Sequence, residues 1–423
     1  MSVRSRGVGG SAVRTRRVLS RFGPTEGAMS AHLDHYAAIA AEQRAPVTWP
    51  TTACVLARHP GRLRAYTERG IELAVHGLVH ADHERLDART QRDSIARALD
   101  IFARAGVKAT GFRGPYLRYN AATLDVLRSL GFRYHSSQAI VFPPRDARAA
   151  AARAIPSFAQ AIALYHARDA RDVASLPRIQ NGIVDIPVAI PDDEIIVERL
   201  RFDGPARADE WRHILELTQA RGELFTLQLH PERIPELGTA LATVLAHARR
   251  RGVWIASLDA IAQWWQRRSR FSVHVTRSED GYCARLVGDD DARLVVRDGA
   301  LATIVRDGQG VPFPNGRRPV ASVSTRTPAA VRRFLEEDGV PVEISDDANA
   351  YGAHIDRPGG WTETGVLEEL ERAPGPLVRI ARWPDAAPSA LAITGDIDAI
   401  TLKDFVLRSW ETRARHVTQG AQT

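Results

Sequence analysis

Two histidines four apart, His76 and His80, close the apolar run "IELAVHGLVH". HxxxH spacing brings two imidazoles to one side of a helical turn. There they can offer two nitrogen ligands to Zn or a similar ion, leaving room for a carboxylate and a water. Two surface histidines opening a helix would have the same spacing, so the pair needs company. "GFRGPY" sets Arg113, Gly114, Pro115 and Tyr116 after a second apolar run, and "LFTLQLHPER" sets His230 after a third. Near the end of the chain, "ALAITGDIDAI" carries an apolar run into Asp396 and Asp398. There is no G-x-S-x-G elbow, and Cys54 has no evident activating context, so the chemistry on offer is attack by an activated water, not by a side-chain nucleophile.

The elements that would position these residues read as repeated βα units over residues 15–268. "RVLSRFG", "VTWPTTACVLA", "IELAVHG", "VKATGFRGPY", "FRYHSS", "GIVDIPVAI", "GELFTLQLH" and "GVWIASL" read as strands. Helical stretches such as "SAHLDHYAAIAAEQR", "ADEWRHILELTQARG" and "LDAIAQWWQRRSR" lie between or after them. The fold expected is an α/β class (β/α) barrel, distorted and seven-stranded, with its chemistry at the strand C-termini. A disordered tail over residues 1–14 would precede it. Residues 269–423 shift to period-2 alternation with frequent turns, then a helix and a strand in "TPAAVRRFLEEDGVPVEIS", which predicts a C-terminal β-rich α+β module.

In order and interval, "HGLVH", "RGPY" and "LQLH" resemble the polysaccharide deacetylases, carbohydrate esterase family 4, and their cytoplasmic amide-hydrolysing relatives. The resemblance implies that His76 and His80 are metal ligands, that Arg113 orients the catalytic base, and that the Tyr116 backbone N–H helps hold an oxyanion. It also implies that His230 is the general acid toward the departing amine. Glycine after the first histidine is closer to the amidase relatives than to the secreted deacetylases. The family's first motif, a strand ending in an aspartate pair, is missing: "RVLSRFGPTEG" holds no aspartate in the corresponding place. "ALAITGDIDAI" looks like that motif moved to the C-terminus, its last strand completing the site with Asp398 as metal ligand and Asp396 as base. The spacing leaves open which carboxylate does which. A solvated turn with two acidic residues would also read this way.

Asp193 and Asp192, in "IPDDE", follow a strand where the family has a motif that tunes the arginine or the acid, a solvated acidic turn being the other reading, and Asp193 and Pro115 are candidates to meet substrate. Asp82, His83, Tyr134, His135 and Ser136 sit near the same strand ends, while Trp254, Trp264 and Trp265 read as core or interface. The 423 residues carry 57 Lys and Arg against 50 Asp and Glu, spread widely and not interleaved with aromatics, which argues against nucleic-acid binding. Two cysteines far apart suit a reducing compartment. The basic N-terminus has no apolar signal core and no long apolar run follows, so the expected location is cytoplasmic with no membrane span.

The reaction expected from the resemblance is metal-dependent removal of an N-acetyl group, Zn being the expected metal. The substrate would be a small-molecule or lipid-linked N-acetylated sugar, and a homo-oligomer is allowed. Two rivals are a catalytically inactive barrel serving as a binding or scaffold protein, and an amidase acting on a small non-sugar amide.

Overall fold

The computed structural model describes residues 21–23, 25–145, 155–298, 301–306, 308, 310–314 and 316–420. The tail expected over residues 1–14 lies outside them. Strands β1 (Val47–Thr51), β2 (Glu72–Val75), β3 (Gly111–Phe112), β4 (Tyr134–His135), β5 (Ile183–Asp185), β6 (Leu224–Leu229) and β7 (Trp254–Ile255) come from the first part of the chain. Strands β8 (Arg318–Val323), β9 (Val342–Ile344), β10 (Tyr351–Ile355) and β11 (Ala390–Gly395) come from the second.

In a nine-stranded curled sheet, β6, β11, β1, β2, β3, β4 and β5 follow one another in parallel, β7 also pairs with β11, and Arg178–Gln180 adds an antiparallel edge beside β5. The strand next to β1 is therefore β11, nearly 340 residues later in sequence. "RVLSRFG" was expected to be a strand; of its described residues, Arg21 is helical and Phe22 lies in a bend. The physical reason is that β11 fills the slot. Its six residues are buried on both faces, as a parallel strand covered by helices requires, and they pair with β6 over their whole length.

Helices α1 (Gly27–Glu42), α2 (Ala88–Arg104), α3 (Gly204–Arg221), α4 (Ile234–Arg250) and α5 (Leu258–Arg268) pack around this sheet. Local chemistry sets their ends. Asp87, Asp203 and Ser257 accept N-cap hydrogen bonds from Thr90, Ala206 and Ala260, and Gly222 ends α3 in the left-handed conformation. Tyr36 of α1 donates to the Thr394 carbonyl on β11. A Cβ added at Gly395 would lie 2.8 Å from the Tyr36 ring and 2.9 Å from that of Trp49, so only glycine lets β11 pass here.

The remaining module combines antiparallel strands, Ser272–Ser278 with Gly281–Val287 and Arg293–Asp298 with Leu301–Arg306, with a parallel sheet ordered β9, β8, β10. Helix α5 joins it to the barrel. Trp264 donates to the Arg382 carbonyl, Arg268 donates to the Asp338 and Ala381 carbonyls, and Trp265 packs 5.5 Å from Trp383. Trp264 and Trp265 are thus buried core. Helix α6 (Leu402–Gly420) follows β11. Among the described residues, no helix is long and apolar enough to cross a membrane.

Candidate metal and catalytic site

The ladder of hydrogen bonds runs one step past the strand ends and levels the site residues. His76 N–H donates to Thr51, Arg113 N–H to Val75, Ser136 N–H to Phe112 and Asp396 N–H to Leu229, each at 2.9 Å. Ile397 then donates to Pro50, so "DID" stays clamped between the ends of β1 and β6.

Gly77 has φ +77°, and a Cβ there would lie 2.8 Å from the Val79 carbonyl oxygen. Glycine is what allows the chain to double back and bring the His76 and His80 rings to 5.2 Å. His76 Nδ1 is 2.9 Å from the Arg113 carbonyl oxygen, which assigns the proton to Nδ1 and leaves the Nε2 lone pair free. Both Nε2 atoms face Asp398, His76 at 3.5 Å from Oδ1 and His80 at 3.4 Å from Oδ2. Burial pushes the His80 pKa down to about 3, so its imidazole is neutral and available as a ligand.

These three donor groups are buried, and their ligand atoms lie within 4.8 Å of one another. The nitrogen-to-oxygen gaps exceed good hydrogen-bond lengths. They match the roughly 3.4 Å separation of two ligands each about 2.1 Å from a tetrahedral Zn ion. The donor set therefore fits a divalent cation.

Asp396 stands beside this cluster, its Oδ2 3.9 Å from His76 Nε2. Arg113 donates to its Oδ1 at 3.2 Å and Gln228 to its Oδ2 at 3.0 Å. The same guanidinium donates to Thr394 and Ser136, and Arg113 is wholly buried. One carboxylate thus faces the histidines while the other is gripped from behind by an arginine.

His230 Nδ1 is 2.8 Å from Asp193 Oδ1, and its backbone N–H donates to Asp193 Oδ2 at 2.6 Å. Burial disfavours the imidazolium, yet the charge and hydrogen bond of Asp193 outweigh it and hold the His230 pKa well above its ordinary value. Asp193 was expected to meet substrate. Both its oxygens contact His230 and it is fully buried, so it stands behind the imidazole. Asp192 accepts from the Ile195 N–H, and burial with the adjacent Asp193 charge pushes its pKa up to about 7.

Tyr116 has left-handed backbone at φ 60°, and its half-exposed ring lies edge-on to His80 at 4.4 Å. Pro115 is buried beside it. Asp82 pairs with Arg118, His83 packs on Phe112, Tyr134 donates to Glu72, and His135 lies 3.4 Å from Asp185. Ser136 serves Arg113.

Gln228, Thr394 and Arg408 were not foreseen. Arg408, on α6, pairs with Asp398 Oδ2. For the first two the signal was present: Gln228 stands two residues before His230 and Thr394 two before Asp396, the spacing at which strand residues point the same way.

The chain thus holds imidazole and carboxylate groups gathered at the C-terminal ends of a curled parallel sheet flanked by helices. Residues 23–135 match the polysaccharide deacetylase family model. That segment contains His76, His80 and Arg113 to Tyr116, while His230, Asp396 and Asp398 come from outside it. A stretch of 92 residues is 30% identical to a peptidoglycan deacetylase-like protein of Gibberella zeae, covering 22% of this chain and 27% of that protein. The chain thus spans about a quarter of the length of this curated relative. Among solved structures, a putative polysaccharide deacetylase from Mycobacterium smegmatis aligns at 22% identity and TM-score 0.43 over 55% of this chain and 76% of that one. A probable polysaccharide deacetylase from Pseudomonas aeruginosa aligns at 18% identity and TM-score 0.44 over 56% and 73%.

Proposed function

We propose that the protein is a metal-dependent amide hydrolase that removes an N-acetyl group from an amino-sugar-containing substrate. The observation that carries this reading is the division of labour between two buried carboxylates: Asp398 faces two imidazole nitrogens, and Asp396 is turned toward the same space by Arg113 and Gln228. His76, His80 and Asp398 would hold the cation, Zn in this reading, which would polarise the amide carbonyl and make water easier to deprotonate.

Asp396 takes the proton from the attacking water, and Arg113 keeps that carboxylate aimed at the site. The Tyr116 backbone N–H donates to the oxyanion. His230, kept protonated by Asp193, gives its proton to the departing amine, without which an amide leaving group departs poorly. A soluble or lipid-linked N-acetylated sugar suits this chemistry.

The test is acetate release from a panel of N-acetylated amino sugars and small non-sugar amides, comparing wild type with Asp396→Asn. Release from a sugar, abolished in the variant, supports the proposal; release only from small amides moves the assignment to the amidase class. One observation favours a second reading, a catalytically silent barrel used for binding: the Arg408 guanidinium occupies an oxygen of Asp398. That reading requires that no member of the panel be turned over.

A further inference from the structure

Helix α6 begins at Leu402, after the short segment that carries Asp396 and Asp398, and packs back against the site through Arg408 and against Arg58. Its first turn is tied down firmly. Asp404 accepts from the Thr401 N–H and hydroxyl at 2.9 Å, and from His59, whose Nε2 lies 2.8 Å away. Arg58 adds a contact to Asp404 at 3.2 Å, and it also pairs with Glu411 two turns further on. The next turn carries Arg408. Its guanidinium lies 5.2 Å over the Phe405 ring and pairs with Asp398 Oδ2, the oxygen that also faces His80. Phe405 is itself stacked on Phe22, so the stem of the arginine is well supported.

We propose that Arg408 is an internal counter-ion that competes with the divalent cation for Asp398, so that loading the metal releases the middle of α6 from the barrel mouth. The proposal rests on the reading of His76, His80 and Asp398 as the metal site. Two cations cannot share one carboxylate oxygen at full strength, because the guanidinium would face the metal's charge across a few ångströms in a buried, weakly screened place. Either partner therefore weakens the other's hold, and by linkage the weakening is reciprocal. The Asp404 anchor does not involve Asp398, so the helix would pivot about its first turn and stay attached, the Arg58–Glu411 pair beyond Arg408 opening with the middle of the helix. The pivot would uncover the space beside Tyr116 and His80, where a substrate must enter.

The experiment compares wild type with Arg408→Met, which keeps the length and apolar stem but not the charge. Affinity for Zn ion alone is measured by competition with a chromophoric chelator. Hydrogen exchange over residues 402–412 is followed with and without the ion. Arg408→Met is expected to bind the metal about tenfold more tightly, within the usual range of coupling between linked sites. In wild type, metal should speed exchange around residues 405–412; in the variant, exchange should be fast already and indifferent to metal. Wild-type exchange needs no variant and keeps the test sound if Arg408→Met folds poorly. Equal or weaker affinity in the variant, or wild-type exchange that metal slows or leaves alone, overturns the proposal and leaves the metal site standing. No metal uptake by either protein overturns both.

Discussion

Replacing Arg113 by methionine should be among the most damaging single changes in the barrel, and the structure says why. Arg113 is wholly buried and donates to Asp396, Thr394 and Ser136. Methionine fills much of the same volume but leaves the Asp396 carboxylate buried with Gln228 as its remaining donor. Removing one partner of a buried ion pair costs roughly 3–5 kcal/mol, most of it the penalty for the charge left behind. Asp396→Asn strands the guanidinium instead and should also destabilise. The double variant buries no net charge at this point, so it should be about 2 kcal/mol more stable than the two single losses summed would allow. Urea unfolding followed by tryptophan fluorescence and by far-ultraviolet circular dichroism measures all four proteins. Trp49, on the strand beside β11, reports on this region, and coincident transitions license the comparison. A loss below about 1 kcal/mol in Arg113→Met, or simple additivity in the double variant, would refute the argument that Arg113 and Asp396 are energetically coupled as a buried pair.

Three further outcomes follow from the same geometry. Asp193→Asn removes what holds the His230 pKa up, so the alkaline limb of kcat/KM should move to lower pH; an unmoved limb contradicts the pairing. For stability the signs are opposite within the pair. The raised His230 contributes fully below about pH 6.5 and loses its contribution as pH rises through its folded value. The lowered Asp193 contributes above about pH 4 and is lost as pH falls, so wild type should exceed the variant most between these limits. Gly77→Ala forces a Cβ into left-handed backbone at φ +77° and to 2.8 Å from the Val79 carbonyl oxygen. It should cost about 1–3 kcal/mol in thermal unfolding and weaken metal uptake, whereas a neutral effect would mean the turn is not built this way. Ending the chain after Ser389 deletes β11 from between β6 and β1, and should abolish cooperative unfolding and the near-ultraviolet signal; a truncated chain that still melts cooperatively contradicts the strand order.

How much of this was legible in the sequence depends on whether a signal was local. The βα rhythm from α1 to α5 was plain because each element carries its own apolar period and caps. Parallel pairing carries no such mark. "RVLSRFG" and "ALAITG" are both short apolar runs, and only burial on both faces, visible in the fold, decides that the second lies beside β1. The order of Asp396 and Asp398 was undecidable because both lie just past the strand end, where the strand period no longer says which way a side chain points, and the difference arises from what meets them, Arg113 and Gln228 for one, His76 and His80 for the other. Asp193 had two readings, tuning the acid or meeting substrate, because its position after a strand said where it lies and not what it touches; its contacts are with His230. Arg408 was invisible because "LKDFVLRSWETR" has the charge pattern of a solvated helix, and its partner is fixed only when α6 folds back over the strand that precedes it.

Metal content by mass spectrometry, on wild type, Asp398→Asn and Asp396→Asn prepared and reconstituted identically, tests the central claim most directly. About one divalent ion per chain is expected in wild type and in Asp396→Asn, with loss of that ion in Asp398→Asn, because Asp398 faces both imidazoles. Metal retained by Asp398→Asn, or absent from reconstituted wild type, would contradict it.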